Sequence, residues 1–194
     1  MDLQQLFYQR YDALYTFWIG DLWTAVPDEL MRQRPHSRVN SIAWNLWHLT
    51  RVEDVALNRF IADFPQVMEE GGWLQSMKIP FRNHGGGMTL DEVDELDRDI
   101  DMQALHGYSD AVQARTREIV NRLSLDDLDA VLEEHRLRGI MLDEGVARNR
   151  DAGMFENYLG WSKGKSLMNL GLTHPYQHVG EIGVIAALLG IEFE

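Results

Sequence analysis

The chain contains no cysteine. Disulfides, cysteine–zinc sites and thiol nucleophiles are therefore excluded together. Positive charge is also scarce: 18 Lys and Arg stand against 31 Asp and Glu, a net charge of −13. Such a surface repels nucleic acid and anionic membranes, so neither is expected as a partner. No apolar run free of charges is long enough for a membrane span. No stretch alternates apolar and polar residues as a half-buried strand would, which argues against a sheet. The opening MDLQQLFYQRYD lacks the basic segment and following apolar run of a secretory leader, and the expected location is cytoplasmic.

What is present fits one globular domain spanning 1–194. The length falls within the usual single-domain range, with 45% hydrophobic and 25% charged residues. Leu3, Phe7, Tyr11, Leu14 and Trp18 recur at helical spacing and predict a first helix. After Pro27 and Pro35, Asn40 or Ser41 can cap a second helix running to about Asp63, just before Pro65, with the stripe Ile42, Leu46, Leu49, Ala56 and Phe60. Residues 64–89 hold Gly71-Gly72, Pro80 and Gly85-Gly86-Gly87, and predict a long loop of the kind that shapes binding sites. Met102, Leu105, Val112, Thr116, Ile119 and Leu123 place a third long helix between about Leu90 and Leu123. Residues 124–141 predict a short helix and 143–153 a mobile surface loop. A fourth helix runs from about His174 to Leu189, with Gly190 placed to stop it. The economical architecture is an all-α four-helix bundle with a long loop after the second helix.

His174 and His178 lie four apart, so their side chains leave one helix face on consecutive turns. Ile182, Ile185 and Leu189 continue that spacing, which turns the histidine face towards the core. A third ligand is needed for a metal, and His48 in WNLWHLTRVED is the candidate, because an unpartnered imidazole among Trp44, Leu46, Trp47 and Leu49 would be costly. The spacing alone leaves His48 open to a second reading as a satisfied core residue. Three neutral nitrogens with a vacant fourth position suit zinc, nickel or ferrous iron, and leave room for water or a substrate atom. A metal-bound imidazole usually donates its other ring proton, and Glu181, three after His178, and Asn45, three before His48, are candidate acceptors. Glu53 falls on the apolar stripe of the second helix but is five positions from His48, so it is expected to answer a buried partner on another helix or across a dimer contact. Tyr176 faces away from the histidines if its helix is regular. His84 reads as solvent-exposed, and no catalytic residue beyond the metal ligands is identified.

Two stretches, SIAWNLWHLTRVEDVALNRFI at 41–61 and THPYQHVGEIGVIAALLG at 173–190, resemble the DinB-like superfamily. Its members include damage-inducible proteins, the metal-binding domain of maleylpyruvate isomerase and bacterial thiol-dependent transferases. The Gly-rich loop ending at Met88, the Asp-Glu-Val after it, and YSDAVQARTREIV carry a weaker echo, so the resemblance covers nearly the whole chain. It implies a four-helix bundle, often a homodimer, whose metal is held by one histidine of the second helix and two of the last, matching His48, His174 and His178. It also implies enzymes that conjugate or isomerise small electrophiles with a low-molecular-weight thiol, whose pKa the metal lowers. The sulfoxide synthases of ergothioneine formation place a glutamate two residues after a similar histidine pair. Here the spacing to Glu181 is three, which disfavours that activity.

GWSKGKS at 160–166 has one residue too few for a phosphate-binding loop, and no apolar strand precedes it. The expectation is a metal-dependent transferase or hydrolase acting on a small-molecule substrate. The competing expectation is a non-catalytic bundle in which the metal is structural or sensory, a role usually served by four protein ligands.

Overall fold

Helix α1 (Leu3–Ala13) continues into a π turn, Leu14–Trp18, in a computed structural model that describes residues 3–192. A π turn closes its hydrogen bonds over five residues instead of four, so it rotates everything downstream relative to a regular helix. Phe7, Tyr11 and Leu14 are buried, after which burial passes to Tyr15, Ile19 and Leu22. Trp18, expected on the apolar face, is instead 58% exposed. The widened turn carries it off that face.

Helix α2 (Ile42–Asp54) begins where Ser41, in extended conformation, accepts a hydrogen bond from the Trp44 amide at 2.8 Å. The Ser41 hydroxyl also donates to Asp97, whose carboxyl burial pushes up to about 7. The helix continues as a π-helical segment, Val55–Ala62, and stops at Asp63 in left-handed conformation, two residues before Pro65. The expected stripe of Ile42, Leu46, Leu49, Ala56 and Phe60 is buried, but so is nearly everything else: twelve of the thirteen residues of α2 have no solvent face.

The expected single third helix is two helices, α3 (Leu90–Asp99) and α4 (Met102–Arg122). Thr89 and Glu92 form a reciprocal capping box that starts α3. Ile100 is extended, and the Asp101 carboxylate then caps α4 by accepting from the Ala104 amide at 3.1 Å. The break has a local cause, because aspartate at such a position offers the backbone a better partner than helix continuation does. The last long element is helix α5 (Lys163–Met168), a π turn at Asn169–Thr173, and helix α6 (His174–Leu188), with Gly190 beyond it at φ +71°. Helix α2 packs against both α4 and α6.

Residues 64–89 form the expected irregular crossing, interrupted by two single-turn helices, Val67–Glu70 and Trp73–Met77. The middle of the 143–148 stretch does not lie on the surface as its polarity suggests. Val146 and Ala147 are buried, and the Val146 carbonyl accepts from the His84 amide at 3.1 Å. The side chains of 149–152 lie outside the described residues. Among the described residues there is no strand, only an isolated bridge between Val131 and Ser162.

Charge buried on α2 ties the helices together. Glu53 is fully buried and accepts hydrogen bonds from Tyr11, from Tyr15 and, at 2.6 Å, from Thr116 of α4. Its partners therefore lie on α1, in the π turn after it, and on α4, as the buried-partner reading requires. Glu53→Ala would strand three hydroxyls and open a cavity, and is expected to cost about 3–5 kcal/mol in chemical denaturation. A loss below about 1 kcal/mol would mean that the hydroxyls satisfy one another without it.

Candidate metal centre

Three imidazoles meet where α2 faces α6. One ring nitrogen from each of His48, His174 and His178 lies within 4.8 Å of the others. His174 Nε2 and His178 Nε2 are 3.1 Å apart, and the His48 ring stands edge-on to both, with centroids at 5.0 and 4.8 Å. Two nitrogens on one tetrahedral zinc ion would be separated by about 3.3 Å, given nitrogen–zinc bonds of about 2.0–2.1 Å. No other histidine or carboxylate of the described residues joins the group.

Two of the three outer ring nitrogens, those of His48 and His178, are held by acceptors, which decides where their protons sit. His48 Nδ1–H donates to the backbone carbonyl of His84, leaving Nε2 bare. His178 Nδ1–H donates to Asn45 Oδ1 at 2.7 Å and shares Glu181 Oε2 at 3.0 Å. Asn45 is oriented for this by its own amide, which donates to the Ser41 carbonyl at 2.8 Å. Both acceptors expected from helix spacing therefore contact a histidine, but Asn45 serves His178 rather than His48, its neighbour in sequence. Buried His174 Nδ1 has no hydrogen-bond partner. Its Nε2–H donates to the bare Nε2 of His178 at 3.1 Å. With a cation between them, both Nε2 atoms would be ligands. The donor set thus fits a divalent ion bound through three neutral imidazoles.

Electrostatics favour neutral rings. Burial pushes the His48 imidazole well below its usual value of 6.5, and the His174 and His178 rings add to the effect. Burial, then His178 and His84, holds His174 down to about 3. Burial also lowers His178, with Glu181 acting in the opposite sense. Lone pairs are consequently available well below neutral pH.

His84 is not exposed, as its loop setting suggested, but 8% accessible and packed over the centre. Its Nδ1 accepts from the Gly86 amide, and its Nε2 contacts Met154 Sδ at 3.1 Å. Gly85 has φ +90°, and a Cβ there would sit 2.5 Å from the Trp47 ring and 3.3 Å from His48 Nδ1. Only glycine lets the chain cross so close. Sequence reasoning missed the His84 carbonyl because a backbone acceptor leaves no mark in side-chain identity; the three glycines were the available signal. Trp44, also unforeseen, stacks on His48 at 4.6 Å. The Tyr176 hydroxyl points away and donates to the Arg10 carbonyl at 2.9 Å. Glu53 is occupied elsewhere, and GWSKGKS lies away from the histidines, where Ser162 caps α5 and pairs with Val131, and Lys165 lies over the Trp161 ring.

An all-helical bundle with a histidine cluster between its second helix and its last defines the class. A solved structure from Enterococcus faecalis, described as a conserved protein of locus, superposes with a TM-score of 0.72 at 14% identity, covering 97% of this chain and 98% of that one. At that identity the likeness shows a shared fold. Residues 20–182 match the DinB superfamily, and the chain belongs to that family. A search of curated proteins gave no match. Among the described residues, no helix is long and apolar enough to cross a membrane.

The depressed His174 pKa makes a signed prediction. Its folded-state value of about 3 lies below the ordinary 6.5, so the stability it contributes is present above about 6.5 and is lost as pH falls towards 3. Metal-free wild-type protein should therefore lose stability relative to His174→Ala as pH drops from about 7 to about 5. Parallel denaturation curves that keep a constant gap across that range would show that His174 titrates normally.

Proposed function

We propose that this protein is a metal-dependent enzyme acting on a small molecule, a thiol-dependent transferase or hydrolase using an open three-histidine centre. The observation that carries this reading is the convergence of three neutral imidazoles with no carboxylate among them. The two carboxylates able to close the site are otherwise engaged: Glu53 with its three hydroxyls, and Glu181 at the outer nitrogen of His178. Three protein ligands and one free position is the pattern of catalytic rather than structural zinc sites.

A bound divalent ion would supply Lewis acidity, polarising a carbonyl or favouring the thiolate form of a low-molecular-weight thiol. His48, His174 and His178 would hold it. Asn45, Glu181 and the His84 carbonyl fix the ring orientations of two of them. Trp44 and Met154 present apolar surface close to the histidine rings and help to exclude water.

A structural or sensory metal is the competing reading, and the burial of His48 beneath the 82–86 crossing favours it. Metal analysis of untagged protein beside His48→Ala and His178→Ala, both checked for folding, comes first. The expected result is near-stoichiometric zinc, nickel or iron in wild type, and a drop of at least about tenfold in occupancy in each folded variant. Loaded protein should then accelerate conjugation of a small thiol to an electrophile, with His178→Ala inactive. A wild-type protein that cannot be loaded would sink the metal reading. One that loads but has no exchangeable ligand on the ion, by water-relaxation measurement, would leave the structural role.

A further inference from the structure

Arg51 is fully buried in α2, three residues after His48 and so adjacent to it on the same face. Its guanidinium makes four hydrogen bonds. Nη1 donates to Asp54 Oδ2 at 3.1 Å and to the Tyr108 hydroxyl at 2.9 Å. Nη2 reaches out of the helix to Gln66 Oε1 at 2.8 Å and to the Arg82 carbonyl at 2.7 Å. The last two acceptors lie at the two ends of the crossing segment 66–82. Asp54 secures its near end as well, accepting from the amides of Val67 and Met68 at 2.8 and 3.0 Å.

The Arg82 carbonyl precedes by two residues the His84 carbonyl that accepts from His48 Nδ1. Side chains three apart on a helix are about 5–6 Å apart at Cβ. The crossing therefore runs antiparallel to α2 in matched register: the carbonyl of residue 82 sits over Arg51 and that of residue 84 over His48. Gly85, having no side chain, lets the chain lie this close to Trp47 and His48. A guanidinium in the core is costly without acceptors; the two Nη groups find two each while the buried Nε has none, so the register that supplies the Nη acceptors is strongly enforced.

We propose that Arg51 is a positioning residue of the histidine centre: by fixing where the 82–84 backbone lies along α2, it holds the His84 carbonyl against His48 Nδ1 and keeps His48 Nε2 bare and aimed at His174 and His178. The affinity part of its test rests on the metal reading above; the tautomer part does not.

The experiment uses 15N-labelled full-length protein, stripped of metal, and reads the two imidazole nitrogens of His48 by NMR. Wild type should show a protonated Nδ1 and a bare Nε2. Arg51→Lys keeps the charge but cannot reach all four acceptors, and should show averaged shifts from a mixture of tautomers. Zinc affinity, measured by competition with a chromophoric chelator, should fall about 10–100-fold in Arg51→Lys. In a His48→Ala background the same substitution should change affinity by less than about twofold, since its route to the metal is gone. If Arg51→Lys does not fold, Gln66→Ala removes one crossing-side acceptor and should shift tautomer and affinity in the same direction, by less. Unchanged His48 shifts overturn the proposal, and so does an affinity loss of equal size in both backgrounds, which would be general softening of the core. A wild-type protein that takes up none of zinc, nickel or iron overturns the proposed function, and the tautomer measurement alone then decides the role of Arg51.

Discussion

A helix with no face towards water has to find every partner for its polar side chains inside the protein, and α2 carries six of them: Asn45, His48, Thr50, Arg51, Glu53 and Asp54. Much of the remaining architecture answers that demand. Tyr11, Tyr15 and Thr116 satisfy Glu53. Tyr108, Gln66 and the Arg82 carbonyl pair with the two Nη groups of Arg51, and the start of the helix Val67–Glu70 pairs with Asp54. Thr50 turns back on its own helix, donating to the Leu46 carbonyl at 2.8 Å. His48 and Asn45, at the end facing α6, are left to form the site. The histidine centre is thus one member of a polar system that runs the length of α2, and its ligands are positioned by the same requirement that holds the bundle together.

Much of this was legible in the amino-acid sequence, for identifiable reasons. The helix-four pair was visible because a four-residue spacing fixes a shared face, and Glu181 and Asn45 because a three-residue spacing puts an acceptor one turn away. The start of α2 followed from Ser41 and its end from Pro65. What escaped detection was information not carried by side-chain periodicity. The π turn after α1 breaks the phase that placed Trp18 inside, and nothing in Leu14–Trp18 announces it. The break between α3 and α4 hung on one aspartate, Asp101, competing with an otherwise unbroken apolar spacing. His84 was misjudged because loop residues are usually wet, whereas this loop is pulled onto α2 by a buried arginine thirty-one residues earlier in the chain.

Membership of the DinB superfamily and the shared fold establish the scaffold, while the chemistry has to be argued from the site. The site is largely buried, apolar on the Trp44 side, and its burial favours the neutral form of all three rings. Such surroundings strengthen any charge placed among them, since little solvent competes. A cation held there by uncharged ligands keeps its full positive charge for whatever binds opposite, which is the electronic situation suited to stabilising an anionic sulfur or oxygen.

The π turn at Asn169–Thr173 sits immediately before His174 and joins α6 to α5, whose Leu167 is anchored in the core. Because a wider turn changes the angle through which the chain has rotated by the time it reaches the next residue, these five positions set the azimuth of His174 and His178 about the helix axis. Winding the same five residues as an ordinary α-helix would turn the chain further before it reaches His174 and swing both rings away from His48. Five residues that supply no ligand therefore act as the angular gauge of the centre, and the length of that turn is as much a part of the binding site as the imidazoles are.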